Sequence, residues 1–246
     1  TYNYLIPRID YDSNIIEVAN IQFESGDIAT KYINGIRLDT ASIIDVSPTQ
    51  STITAANLTY RQDDTPTFDG TNDYLRTNFN IQNNLGDGFT FEYWAYHSNI
   101  SSTWSWPIAS DNSNNGQSYA WFQLGKKSGG GDIRFETGGY YTNTALDSIN
   151  AGMLSNIYYN VVGTVDVLNG VKQIWINGTK NNQVSISKSN VNQDYGDIVI
   201  GCHGRNQTSF LENWNGEISQ VKIYDKALTD AEVKQNFEAT RTRYGI

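Results

Sequence analysis

The stretch WNGEISQVKIYDKALTDAEVKQNF, Trp214 to Phe237, decides how the chain is read. Its first half alternates as a strand does, with Ile218, Val221, Ile223 and Tyr224 carrying the apolar weight. Its second half has the period of an amphipathic helix and its own start signal. Thr229 is placed to cap the helix, Glu232 follows three residues later to complete a capping box, and Val233 and Phe237 share one face at i, i+4. A closing strand that runs into one short helix, in a chain otherwise patterned as strands, predicts the finishing seam of a β-sandwich. The helix is expected to cover an open edge or end.

Upstream, Ile157–Val167, Val171–Ile176 and Val184–Ile186 read as a three-stranded antiparallel meander with turns at Asn169-Gly170 and Asn177-Gly178. Type I′ turns need positive φ at both central residues, which Asn-Gly supplies. Phe89 to His97 alternates with bulk on both faces: Phe89, Phe91, Tyr93 and Ala95 on one, Thr90, Glu92, Trp94 and Tyr96 on the other. That pattern predicts a central strand, covered on one side by the opposing sheet and partly on the other by loops. Trp106–Ser110, Tyr119–Gly125, Asp132–Thr137 and Asp197–Gly201 supply further strands. Residues 1–50 are sparser in apolar side chains and form an N-terminal segment, either an edge hairpin of the sandwich or an arm that pairs with a neighbouring subunit. Residues 51–246 form the sandwich.

Composition narrows the function classes. The chain has 246 residues with 16 Tyr, 9 Phe and 6 Trp, so its core is aromatic and β-branched. A formal charge of −9 with no basic run argues against a nucleic-acid partner. No apolar run approaches the ~20 residues that span a bilayer. Cys202 is the single cysteine, so no intrachain disulfide forms. It reads as a small buried residue, with a thiol beside His203 as the minor alternative. A start at Thr1 predicts a processed product or an excerpt.

Five segments, taken in order, resemble laminin-G-like and concanavalin-A-like domains: FDGTNDYL at 68–75, FTFEYWAY at 89–96, NIYYNVVGTVDVLNGVKQIWINGTK at 156–180, DIVIGCHGRN at 197–206 and NGEISQVKIYDKALTDAEVKQNF at 215–237. The resemblance implies an all-β fold, a two-sheet antiparallel jelly roll with one short C-terminal helix, which the strand pattern also predicts. The closing NFEATRTRYGI, 236–246, resembles the ends of such domains in bacteriophage structural proteins.

Glycoside hydrolases on this fold place carboxylates at alternate positions of one strand. No E-x-D-x-x-E pattern occurs here: Glu212 and Glu217 flank Trp214 at another spacing, and Glu92 stands alone among aromatics. His97 and His203 sit beside no evident nucleophile. The expectation is therefore no enzymatic activity. The resemblance implies calcium as the one cofactor to consider, held by Asp69, Asn72 and Asp73 in one loop or by Asp111, Asn112 and Asn114 in another. The same residue types are ordinary turn formers. Glycan binding is expected at Trp104, Trp106, Tyr140 and Tyr141, which combine aromatic faces with neighbouring hydroxyls. The alternative is that Trp106 and Tyr141 fill the core while Trp104 and Tyr140 fall at its rim.

These features predict a virion or extracellular protein: a non-enzymatic structural or adhesion component of a bacterial virus, as head decoration, fibre or tail-associated protein. Its partners would be other virion proteins, further copies of itself and cell-surface glycans. The alternatives are a carbohydrate-binding module of a secreted bacterial enzyme and a glycan-active enzyme with an unrecognised site.

Overall fold

A computed structural model describes residues 51–61, 65–80, 88–100, 103–110, 120–139, 144–187, 196–205 and 209–246. The N-terminal segment 1–50 lies outside the described residues. Among those described, strands assemble into two seven-stranded antiparallel sheets and a two-stranded ribbon. In spatial order the first sheet is β1 (Ile53–Ala56), β4 (Tyr74–Asn80), β13 (Asp197–Ile200), β6 (Ser105–Ser110), β7 (Ala120–Lys126), β8 (Ile133–Gly139) and β9 (Thr144–Asp147). The second is β12 (Thr179–Ser185), β11 (Val171–Ile176), β10 (Tyr159–Asp166), β5 (Gly88–His97), β16 (Asn215–Tyr224), β3 (Pro66–Asp69) and β2 (Thr59–Tyr60). The ribbon pairs β14 (His203–Arg205) with β15 (Ser209–Leu211). A helix, α1 (Asp230–Thr240), and a 3-10 turn, Arg241–Tyr244, close the chain.

Alternation along the strands builds the core. Phe89, Phe91, Tyr93 and Ala95 of β5 meet Ile108, Phe122, Leu124, Ile133 and Phe135 from the opposing sheet. Phe91 stacks on Phe122 with ring centroids 4.3 Å apart and planes 2° from parallel. Cys202 is buried, as a small apolar residue should be. The meander forms as the sequence predicts at Asn177-Gly178, where both residues take positive φ, 48° and 71°. The preceding connection differs. β10 ends at Asp166, so a four-residue loop rather than a two-residue turn leads to β11. The Asp166 carboxylate accepts the Asn169 backbone N–H (2.9 Å) and its side-chain amide (2.6 Å), which stabilises the longer loop.

The second face of β5 is where expectation and structure part. Its cover is the C-terminal helix rather than loops, so α1 lies on the outer face of the second sheet and not at an edge or end. The helix starts as its sequence dictates: Thr229 Oγ1 accepts the Glu232 amide at 3.3 Å and the Glu232 carboxylate accepts the Thr229 amide at 2.8 Å. Val233 then packs with Val162, Trp175 and Leu228 in a second apolar cluster. Trp94 stacks on Tyr244 at 4.0 Å and on Phe237 at 5.8 Å, and its indole N–H donates to Thr240 Oγ1.

Between these apolar contacts sits Glu92, with 0% exposure. It does not stand alone. Lys222 Nζ (3.2 Å), Asn160 Nδ2 (3.1 Å), Tyr224 Oη (3.2 Å) and Asn236 Nδ2 (2.9 Å) all donate to its carboxylate. A buried carboxylate is tolerable only when its lone pairs are satisfied in this way. Asn236 also donates to Tyr224 Oη (2.8 Å), so it ties the helix to two members of the network. Asn236→Ala is therefore expected to lower stability by about 1–3 kcal/mol, read from urea denaturation, because it leaves buried acceptors short of a donor.

Candidate functional site

The helix covers part of the second sheet's outer face and leaves a cavity beside its start, lined by Thr164, Gln173 and Thr229; the outer face of the first sheet carries the aromatic residues expected to bind. Its ribbon half is partly covered. Leu75 is in the core, so Tyr74 and Arg76 point outward from β4, and Tyr74 stacks on Phe210 of the ribbon at 3.9 Å. Gln123, between core residues Phe122 and Leu124, likewise points outward and brings its Nε2 within 3.1 Å of His203 Nε2. The ribbon thus sits over β4, β6 and β7.

The other half carries a row of polar and aromatic side chains at one end of β6–β9. Ile133 and Phe135 are core residues, which turns Arg134 and Glu136 outward from β8, and Leu146 does the same for Asp147 on β9. Arg134 pairs with Asp147 in register. The result is a parallel fork: Arg134 Nε to Asp147 Oδ1 at 2.5 Å and Nη2 to Oδ2 at 2.9 Å. Arg134 Nη1 also donates to Glu136 (3.0 Å), and Lys127 Nζ donates to Asp147 (2.7 Å). Bonding to Arg134 first, and then to Lys127, holds the Asp147 carboxyl below the usual carboxylate range.

The guanidinium so fixed lies over the ring of half-buried Trp104, 4.8 Å from its centroid. Trp104 in turn stands 5.6 Å from Trp106, with planes 11° apart. Gly125, paired with Arg134 across β7 and β8, separates the two groups without a side chain of its own. A Cβ there would meet the Ser105 carbonyl, the Pro107 ring and the Trp106 backbone, so the close approach of β6 requires glycine. Beneath, the buried Lys126 ammonium donates to the carbonyls of Thr103 (2.7 Å) and Lys127 (3.2 Å), pinning the backbone just before Trp104. Burial lowers the Lys126 pKa to about 8.

The expected aromatic pair Trp104 and Trp106 is thus brought together, with unequal roles in the packing. Trp106, at 2% exposure, donates its indole N–H to Glu212 and supports Trp104 from below. Glu212 accepts that bond from a left-handed backbone position, φ 54°, uncommon for a non-glycine residue. Tyr140 and Tyr141 lie outside the described residues.

The first of the two loops read as calcium candidates is closed by hydrogen bonds within the protein. Asp69 accepts the Thr71 amide (2.7 Å), and buried Asp73 accepts the Asp69 amide (2.6 Å). The carbonyls of Asp69, Thr71 and Asn72 accept the side-chain amides of Asn215, Asn213 and Asn57. Burial pushes the Asp73 carboxyl up. Among the described residues no three His, Cys, Asp or Glu side chains gather into a metal cluster. Asp111, Asn112 and Asn114 lie outside those residues.

The buried carboxylates Glu92 and Glu217 are committed to protein partners. Glu217 is buried and accepts from Arg61 (2.9 Å), Tyr96 (2.8 Å) and Tyr158 (2.5 Å). Asp147 is shifted down, the wrong direction for a general acid. His97 is buried against Trp214, and burial first, then Lys126, lowers its pKa to about 4.

Comparison with known proteins agrees with this architecture. Residues 68–234 match the Laminin_G_3 model, described as the concanavalin A-like lectin/glucanases superfamily. No curated protein sequence matches the chain. Among solved structures, the botulinum neurotoxin serotype D binding domain superposes with a TM-score of 0.63 at 15% identity, over 80% of this chain and 48% of that one. The receptor-binding domain of the mosaic serotype C/D neurotoxin gives 0.61 at 17% identity, over 80% and 48%. A structure of botulinum neurotoxin type C, whose cell entry is described as dependent on interaction with two ganglioside molecules, gives 0.60 at 15%, over 80% and 48%. The chain spans about half the length of these domains, and the likeness is one of fold.

The Arg134–Asp147 fork predicts a pH signature. A carboxyl with a depressed folded pKa stabilises the fold above its unfolded value, near about 3.9, and loses that contribution as pH falls through the folded value. Asp147→Asn is expected to melt below the parent at pH 7, with the gap closing in acid below about pH 4. A pH series of melting temperatures reads this directly.

Proposed function

Since this chain belongs to the concanavalin A-like lectin/glucanase superfamily, we propose that it is a non-enzymatic glycan-binding module. Its ligand lies on the outer face of the first sheet, across Trp104 and Arg134. The observation that carries this reading is the guanidinium fixed 4.8 Å over the Trp104 ring by its fork to Asp147. Sugars present C–H faces that pack on aromatic rings and hydroxyls that need donors and acceptors held in place. With the guanidinium over one face and Trp106 stacked below, the exposed edge of the Trp104 indole is left for apolar contact, and the ion pairs around Arg134 hold polar groups in advance, which reduces the ordering cost of binding. The absence of catalysis is supported by the saturation of Glu92 and Glu217 and by the downward shift of Asp147.

The ganglioside interaction of the type C neurotoxin is stated of that protein, whose binding domain is about twice the matched length. It lends support to glycans as a ligand class without locating a site. Display on a bacterial virus is a second part of the proposal and rests on the wording of 236–246. That wording has a packing role here, since Phe237 and Tyr244 cover Trp94. Calcium has no part in the proposal.

A glycan microarray probed with the labelled protein tests the reading. Binding to a defined set of glycans is expected, with Trp104→Ala reducing it by about tenfold or more, a loss of about 1.4 kcal/mol. No binding to any glycan, or binding that Trp104→Ala leaves intact, would sink the proposal.

A further inference from the structure

We infer that the site at Trp104 selects uncharged glycans over acidic ones, an inference that rests on the glycan-binding reading above. The cations on this face are already matched by carboxylates. Arg134 engages Asp147 through two N–H groups and Glu136 through a third. Lys127 engages the same Asp147. Glu212, held by Trp106, adds a third carboxylate on the other side of the indole pair. Among the described residues, two cations thus stand beside three carboxylates on this face. Lys126 does not redress the balance, because it is buried with its ammonium on two carbonyls. Farther along the face, Arg76 pairs with Asp197 at 3.5 Å.

A sialic acid, a sulfate or a uronate needs a cation whose charge and donors face the ligand. Here Asp147 and Glu136 already neutralise the charge of Arg134, so an acidic group would either displace one of them or sit beside them as a further anion. Like charges brought together in this way oppose binding. A sugar hydroxyl has no such conflict, since it donates to a carboxylate oxygen and accepts from the remaining guanidinium N–H groups. The chain's net charge of −9 acts in the same direction at longer range.

The inference differs from what the neurotoxin domains would suggest, one of which is described in complex with SialylT. The test is an array of matched pairs, each neutral oligosaccharide beside its sialylated, sulfated or uronate-bearing counterpart, probed at low salt. Neutral members are expected to bind about tenfold more tightly than their acidic partners. Asp147→Asn is expected to narrow that gap by freeing Lys127 and part of Arg134. Glu136→Gln, which leaves the fork intact, should narrow it too, so the inference stays testable if Asp147→Asn folds poorly. Acidic glycans bound as tightly as, or more tightly than, their neutral partners, with that binding lost in Arg134→Ala, would overturn the selectivity and leave the glycan-binding reading standing. Failure to bind any glycan would overturn the reading itself, and the inference with it.

Discussion

A buried carboxylate organises this molecule. Glu92 points away from the inter-sheet core, on the middle strand of the second sheet, and has no exposure to water. Leaving such a group unpaired would cost several kcal/mol, so the structure surrounds it. Lys222 comes from the neighbouring strand, Asn160 from the strand on the other side, Tyr224 from the end of β16 and Asn236 from the helix. Lys222, Tyr224 and Asn160 reach it from the sheet itself, and the last donor arrives only when the helix lies across that sheet. Trp94, one pleat along, draws Phe237 and Tyr244 over itself in the same movement. The position of the helix is thus dictated by polar satisfaction as much as by its two-residue apolar stripe.

That arrangement determines where function can reside. A sandwich has two outer faces, and the helix takes a large part of the second sheet's. Among the described residues no helix covers the first sheet, and the ribbon of β14 and β15 takes the half over β4, β6 and β7. On the other half, four adjacent strands align an indole, a glycine, a guanidinium and a carboxylate at one end. Gly125 permits the approach, the Asp147 fork fixes the guanidinium, and Lys126 anchors the chain ahead of Trp104. Each contribution is small, and they come from β7 and β9 acting on β8 and the start of β6, so the site is a property of register.

The sequence carried much of the fold for that same reason. The alternation at Phe89–His97, the Asn177-Gly178 turn and the Thr229–Glu232 capping box are local signals, and each appears in the structure where it was read. Long-range facts were less legible. The helix could be seen, but not the face it covers, because its destination depends on Glu92, which seems isolated until strands and helix converge on it. The Asn169-Gly170 connection was misread because Asp166, three residues earlier, draws the loop shut with its carboxylate. At the site, Trp104 and Trp106 were visible as aromatics beside hydroxyls. Arg134 and Glu136 alternate with Ile133 and Phe135, which marks them as outward-facing. Nothing local, however, links Arg134 to Asp147 thirteen residues away or shows Gly125 as the gap on the other side of Arg134, toward β6.

The account stands on the claim that ligand meets the first sheet's outer face and not the helix-covered one. Indole N–H signals report on both faces at once: Trp104 lies on the first, while Trp94 and Trp175 lie beneath the helix. The decisive measurement is a titration of 15N-labelled protein with the glycan it binds most tightly, following these resonances. The account predicts that the Trp104 signal and the Arg134 Nε–H shift together while those of Trp94 and Trp175 stay in place. Movement at Trp94 and Trp175, with Trp104 unchanged, would contradict it.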